Sequence, residues 1–230
     1  VLGDNPIRPQ QLTDGKSLWV QEIFHSLQGE GPFAGKPAVF VRLAGCNLSC
    51  FWCDTDFESS DWKPTIEEIL GEVRAFTGGT TRLVVITGGE PFRQNIAPLV
   101  ERLLDDGLQV QIETNGTLWV ELPEHDKLHI VVSPKTPALN ENIRRRAAAF
   151  KYVITSGNVD PLDGLPLDST QSPGRAATLA KPEPGRPVYV MPLDSGNAET
   201  NQRNTQACAR VAQQYGHTLT LQLHKLIGVR

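Results

Sequence analysis

The sequence predicts an α/β fold, an incomplete (partial) TIM-type β/α barrel of about six parallel strands covered by helices. Short apolar runs of strand length alternate with helical segments along the chain, which argues for a parallel sheet buried under helices. About six parallel strands fall short of the eight that close a barrel. Turn-forming polar groups also follow the C-terminal ends of several runs, where barrel enzymes carry their functional groups.

The elements are expected in the following order. A first strand covers Ser17–Phe24 and enters a turn-rich loop, Ser26–Pro32; a second covers Ala38–Leu43 and is apolar except for Arg42. Thr65, with Glu68 three residues on, has the form of a capping box for a helix reaching Ala75 or Phe76. Arg82–Thr87 is a buried strand ending in Gly88-Gly89-Glu90-Pro91, followed by a helix over Ile96–Asp106 that Gly107 closes. Gln109–Glu113 ends in Thr114-Asn115-Gly116, and Leu128–Val132 ends in Ser133-Pro134-Lys135. A helix over Glu141–Ala149, a short strand over Tyr152–Ile154, a strand over Val188–Met191, a helix over Thr200–Tyr215 and a last strand over Thr218–Leu223 complete the pattern.

At 230 residues, with 39% hydrophobic and 21% charged side chains, the chain suits one large α/β domain. Residues 1–16 read as an N-terminal extension, 17–230 as a single domain, and the Pro-, Gly- and Asp-rich stretch 156–187 as an excursion from it. A formal charge of −4 gives no basic stripe for nucleic acid or an anionic membrane surface. No apolar stretch approaches the ~20 residues of a membrane span. Val1–Lys16 has no secretory apolar region, so a cytoplasmic location is expected.

The anomaly is the cysteines. Of four, Cys46, Cys50 and Cys53 fall within eight residues at C-x3-C-x2-C spacing, while Cys208 stands apart as a small core residue. Close thiols in a reducing compartment bind metal or do chemistry more often than they pair. Three thiolates suit an iron–sulfur cluster with one iron left open. A zinc ion needs a fourth Cys or His, and none stands nearby, although folding can bring His25 or Cys208 close. Arg42, in an apolar strand four residues before the first of these cysteines, needs an anionic partner. Either a bound carboxylate or an ion pair with Glu22 meets that need.

These residues carry a resemblance. C-x3-C-x-aromatic-C, with Trp52 as the aromatic, resembles the signature of radical S-adenosylmethionine (radical SAM) enzymes, and Gly88-Gly89-Glu90-Pro91 resembles their second motif. Ile23–Gly31, Phe40–Cys46, Cys53-Asp54-Thr55, Ser133-Pro134-Lys135 and the ending His224–Arg230 resemble the 7-carboxy-7-deazaguanine synthase family within that superfamily. The resemblance implies a 4Fe–4S cluster on Cys46, Cys50 and Cys53, whose open iron holds S-adenosyl-L-methionine, and Mg²⁺ at Thr55. It assigns Trp52, Cys53, Asp54, Gly89, Ser133, Pro134, Lys135, Met191, Pro192, Leu193 and Asp194 to the cofactor. Met191 stands where the family usually has Gln. Leu27, Gln28, Gly29, Arg42, Thr87 and the terminal carboxylate of Arg230 are assigned to substrate.

The implied reaction contracts 6-carboxy-5,6,7,8-tetrahydropterin to 7-carboxy-7-deazaguanine with loss of ammonia, in queuosine and 7-deazapurine biosynthesis. The radical comes from the cofactor, so no side chain is assigned as a catalytic acid or base. An electron donor such as a flavodoxin and a homodimer are further expectations. Two alternatives share some of these features: a radical SAM activase of a glycyl-radical enzyme, and a zinc-stabilised interaction module without catalysis.

Overall fold

The computed structural model describes residues 5–169, 171 and 178–229. One sheet runs through the molecule, with strands in chain order: β1 (Val20–Leu27), β2 (Pro37–Leu43), β3 (Leu83–Gly88), β4 (Gln109–Thr114), β5 (Leu128–Val132), β6 (Ala147–Ile154), β7 (Val188–Pro192) and β8 (Thr218–Leu219). β1 pairs antiparallel to β2, and every later pair is parallel. Among the described residues β8 does not pair back to β1, so the barrel is open. The expected incomplete barrel of about six parallel strands is observed with seven, and with an antiparallel strand on one edge.

Alternation along the strands separates the two faces of the sheet. Val39, Val41 and Leu43 of β2, Val84 and Ile86 of β3, and Val110 and Ile112 of β4 point outward into the main apolar core. The same core takes Ile66, Ile69, Leu70 and Val73 from α1 (Ile66–Thr77), and Leu99, Val100, Leu103 and Leu104 from α2 (Ala97–Asp105). The i, i+3, i+4, i+7 spacing in α1 forms one apolar stripe. Its start is fixed as expected: Glu68 N–H donates to Thr65 Oγ1 at 3.3 Å, and Thr65 N–H donates to the Glu68 carboxylate at 2.7 Å. The opposite strand face carries Arg42, Thr87, Glu113, Ser133 and Lys151, and it encloses the cavity described below.

Three expected elements differ. The helix over 141–149 stops at Arg146 (α3, Glu141–Arg146), and β6 begins at Ala147 rather than Tyr152. Ala147-Ala148-Ala149 favours helix intrinsically, but pairing Ala147 with Ile130 and Ala149 with Val131 overrides that preference. The first strand is shifted to Val20–Leu27, because Leu18 and Val20 bond back to Pro64 and Trp62 while the ladder to β2 continues through Leu27–Pro37. The last strand is only Thr218–Leu219. After α4 (Ala198–Tyr215) and this short strand, the chain turns into α5 (Leu223–Ile227), ended by Gly228 at φ 69°. Between β6 and β7 the described residues form no helix or strand beyond the isolated bridge Val159–Pro166.

Candidate active site

A cavity of about 640 Å³ opens at the C-terminal ends of the strands. The cluster loop that follows β2 forms one wall. Cys46, Cys50 and Cys53 all line the cavity, together with Trp52, Asp54 and Thr55. A turn from Cys53 N–H to the Cys50 carbonyl (3.1 Å) folds the last two thiols together. Leu48 N–H approaches Cys46 Sγ at 3.4 Å, and the Gln171 amide donates to Cys50 Sγ at 3.1 Å. Donors aimed at sulfur are what thiolate ligands require. Burial, reinforced by the Glu90 charge, pushes the unligated Cys46 thiol up to about 12. Among the described residues no three His, Cys, Asp or Glu groups gather tightly enough for a single metal ion. A cubane cluster is different, because it spreads its thiolates over separate corners, and this donor set fits it.

The glycines after β3 are packing requirements. A Cβ on Gly88 would lie 2.0 Å from the Leu43 carbonyl, and one on Gly89 would lie 2.2 Å from the Gly45 carbonyl and 2.8 Å from Cys46 Cβ. The β3 exit therefore lies directly on the start of the cluster loop, held by Glu90 N–H to the Gly45 carbonyl at 3.0 Å. Glu90 itself is fully buried. Its carboxylate accepts from Asn115 N–H (2.7 Å), Thr114 Oγ1 (2.7 Å) and Phe92 N–H (3.0 Å), tying the β3 and β4 exits together. Burial outweighs these bonds and raises its pKa to about 7.

Of the two readings of its partner, Arg42 takes the ion pair with Glu22. Its Nε donates to Glu22 Oε1 at 2.8 Å, while among the described residues its two Nη groups have no hydrogen-bond partner, and both residues line the cavity. Leu27, Gln28 and Thr87 line the same side, and Ser133, Lys135 and Met191–Asp194 line the far wall. Lys135 is held by the Ser133 carbonyl (3.1 Å), with burial pushing its pKa down against the pull of Cys50. Pro134 faces instead a smaller cavity of about 130 Å³ beside Phe51 and Trp52. Arg230 lies outside the described residues.

Gly29 does not line the cavity, and its role is to seat α5. A Cβ there would meet His224 Nδ1 at 2.3 Å and Leu223 N at 3.2 Å. From this seat His224 and Lys225 reach the cavity wall. Lys225 Nζ bonds Asp54 at 2.8 Å and Asp194 at 3.0 Å, linking the cluster loop to the β7 exit. Burial raises Asp54, but the bond and charge of Lys225 outweigh it and leave its pKa below the ordinary carboxylate value. Gly29→Ala is expected to unseat α5 and break both bridges. Amide hydrogen exchange over 223–227 should then accelerate by about tenfold or more, while β2–β4 keep their protection.

Sequence reasoning passed over Lys151 as a site residue. Its ammonium sits between the carboxylates of Glu30 and Glu113, at 2.8 Å from the latter, with all three side chains no more than 15% exposed. Gln28 and Gln222 donate to the two carboxylates. The signal for its partner Glu113 is in the strand period: Gln109, Gln111 and Glu113 alternate with apolar Val110 and Ile112, so the polar set faces inward. His25 bonds Thr81 and His217 bonds the Asp163 carbonyl, while His125 and His129 lie outside the cavity lining.

A family model described as the Radical SAM superfamily matches residues 41–162. The chain is 52% identical over 236 residues to the 7-carboxy-7-deazaguanine synthase of Rhodospirillum rubrum, covering 100% of both chains. It is 39% identical over 240 residues to that of Rickettsia prowazekii, covering 100% of this chain and 96% of the relative. Among solved structures, QueE from Escherichia coli superposes with a TM-score of 0.65 at 27% identity, over 90% of this chain and 95% of that one.

Proposed function

The chain belongs to the 7-carboxy-7-deazaguanine synthase family of the Radical SAM superfamily, and from that premise we propose that it contracts 6-carboxy-5,6,7,8-tetrahydropterin to 7-carboxy-7-deazaguanine with loss of ammonia. Membership leaves no role for the activase or the zinc module as alternatives. The observation that carries the reading is that one cavity unites three thiols, the β3 and β5 exits and an arginine whose fork has no partner among the described residues.

When bound, the 4Fe–4S cluster and S-adenosylmethionine supply a 5′-deoxyadenosyl radical, which is the hard chemistry of the reaction. The chain binds, orients and shields. Cys46, Cys50 and Cys53 hold the cluster. Trp52, Asp54, Gly89, Ser133, Lys135 and Met191–Asp194 form the cofactor wall, with Pro134 supporting it from behind. Leu27, Gln28 and Thr87 hold the pterin, and the Arg42 fork receives its carboxylate while Glu22 keeps the guanidinium in place. Thr55 is the Mg²⁺ ligand in this reading, with substrate and water supplying the remaining oxygens. Six carboxylates against four cations in the wall favour the extra positive charge of Mg²⁺ and a sulfonium.

An electron donor such as a flavodoxin and a homodimer belong to the same reading. The dimer is supported by Leu219, Leu226, Ile227 and Val229, apolar side chains left exposed near the C-terminus. Residues 17–230 act as one catalytic domain. No helix among the described residues is long and apolar enough to cross a membrane.

The test is anaerobic turnover with reductant, cofactor and the pterin, with and without Mg²⁺. Formation of the deazaguanine acid is expected; cofactor cleavage without ring contraction would remove the substrate assignment. Arg42→Gln should raise KM for the pterin by about 10- to 100-fold, the loss of a charge-assisted pair, with a smaller change in kcat. An unchanged KM would return Arg42 to a purely structural ion pair.

A further inference from the structure

The cluster loop is also backed by residues that have no part in the chemistry above, and one of them, Asn5, reaches past the loop to the cavity lining. Between β2 and α1 the cluster loop carries no helix and no strand longer than an isolated bridge. A long loop of this kind opens easily unless something holds it. Residues 5–11 lie across its outer surface. Arg8 N–H donates to the Cys46 carbonyl at 2.7 Å, next to a parallel bridge between Ile7 and Cys46. The Asn5 amide donates to the Thr55 carbonyl at 3.0 Å, and the Asn5 carbonyl accepts from Ser49 Oγ at 3.3 Å. The Arg8 guanidinium pairs with Glu58 through two bonds, 2.9 and 3.2 Å. Every one of these contacts lands on a cluster-loop residue between Cys46 and Glu58.

The other end of the segment is fastened to the barrel. The Gln10 amide bonds the carbonyls of Phe92 (2.9 Å) and Trp119 (3.0 Å), and Gln11 N–H bonds the Arg93 carbonyl at 2.8 Å. Beneath the segment, buried Arg93 reaches the Pro9 and Ala44 carbonyls, both at 3.3 Å. Arg8 and Arg93 both lie over the Trp19 ring, at 5.8 and 5.5 Å from its centroid. Among the described residues Arg93 Nε and Glu58 Oε1 are buried without a hydrogen-bond partner, and Glu58 is the principal charge offsetting Arg93. Such a packet is stable only while the segment keeps water out of it.

We propose that residues 5–11 are a brace that positions the cluster loop, with Asn5 and Arg8 as positioning residues that hold Cys46 and the Thr55 turn and keep water out of the Arg93–Glu58 packet behind it. The proposal rests on the cluster reading given above. It makes the segment before the barrel a determinant of how long the cluster survives oxygen, because loss of iron after oxidation needs the loop thiolates to part.

The test uses the full-length chain, reconstituted anaerobically with iron and sulfide and then exposed to air while the visible iron–sulfur absorbance is followed. Asn5→Ala/Arg8→Ala should take up the same iron and sulfide as the unaltered chain and then bleach about tenfold faster, since two loop-holding interactions are gone. Arg8→Ala and Glu58→Gln should be non-additive when combined, because they break one pair. Val211→Ala, which loosens the remote packing of α4, should lower the melting temperature without changing the bleaching rate. Unchanged bleaching in Asn5→Ala/Arg8→Ala, or equal acceleration in Val211→Ala, overturns the brace. If the unaltered chain takes up no cluster at all, the functional reading fails first and the brace fails with it.

Discussion

Alanine at Gly89 is expected to leave a folded chain that no longer holds a full iron–sulfur complement. The added methyl carbon would sit 2.2 Å from the Gly45 carbonyl oxygen and 2.5 Å from its carbon. Both neighbours are backbone, so relief comes only by moving the β3 exit away from the cluster loop. Overpacking of this kind costs about 1–3 kcal/mol, less than a domain's usual stability. The displacement falls on Cys46, however, whose Cβ lies 2.8 Å from the same point. Iron and acid-labile sulfide after anaerobic reconstitution should drop several-fold, while the far-ultraviolet spectrum is kept. Gly71→Ala is the control: nothing lies within 4 Å of its added Cβ, and it is an exposed position inside α1. There alanine should stabilise by about 0.5–1 kcal/mol. Gly89→Ala with a full cluster but no cofactor binding would make the glycine a ligand contact and not a packing element.

Much of this site was legible before any coordinates, because its parts are local in sequence. The thiol spacing, the Gly-Gly-Glu-Pro turn and the Thr65 capping box each specify their geometry within a few residues. Where long-range contacts decide, the sequence alone is a weaker guide. Ala147-Ala148-Ala149 reads as helix until β5 pairs with it, and Thr218–Leu223 reads as strand until α5 finds its seat on Gly29. Gly29 looks like turn chemistry because its neighbour in space, His224, is nearly two hundred residues away. Lys151 shares that difficulty: its inward direction follows from its place between outward Phe150 and Tyr152, and a register irregularity near Ala147–Ala149, where the sequence reads as helix, breaks the period before it. The polar residues of β4 could have been found by the alternation of Gln109–Glu113 alone.

Lys151→Met should be the most destabilising single change at the cavity, and its deficit relative to the unaltered chain should shrink in mild acid. In the unaltered chain burial pushes Lys151 toward its neutral form, but Glu113 and Glu30 outweigh burial and raise its pKa. For Glu30, burial pushes upward and the Lys151 charge outweighs it, so its pKa lies below the ordinary value of 4.5. A depressed carboxylate binds fewer protons when folded than when unfolded. Its stabilisation is therefore complete above the unfolded pKa and is lost as pH falls through the folded one. Removing the ammonium leaves two buried carboxylates facing each other, and breaking a buried pair in this way costs about 3–5 kcal/mol. Like charges sharing a dry site force one of them to hold a proton, which raises a folded pKa above the unfolded value. The folded variant then binds more protons than its unfolded chain in the window above 4.5, so acidification stabilises it there. Urea melts at pH 7.5 and about 5.5 decide the matter. Buried Glu90, raised to about 7, should stabilise both chains alike as pH falls between these values, so the readout is the difference between them: Lys151→Met should recover part of its deficit at the lower pH. A deficit that is the same at both pH values would mean that the ammonium contributes packing and not charge. Glu30→Gln in the Lys151→Met background separates the cases further. It removes one of the two opposed carboxylates, so it should restore stability at pH 7.5 if repulsion is the cause, and lower it again if the lost contacts are.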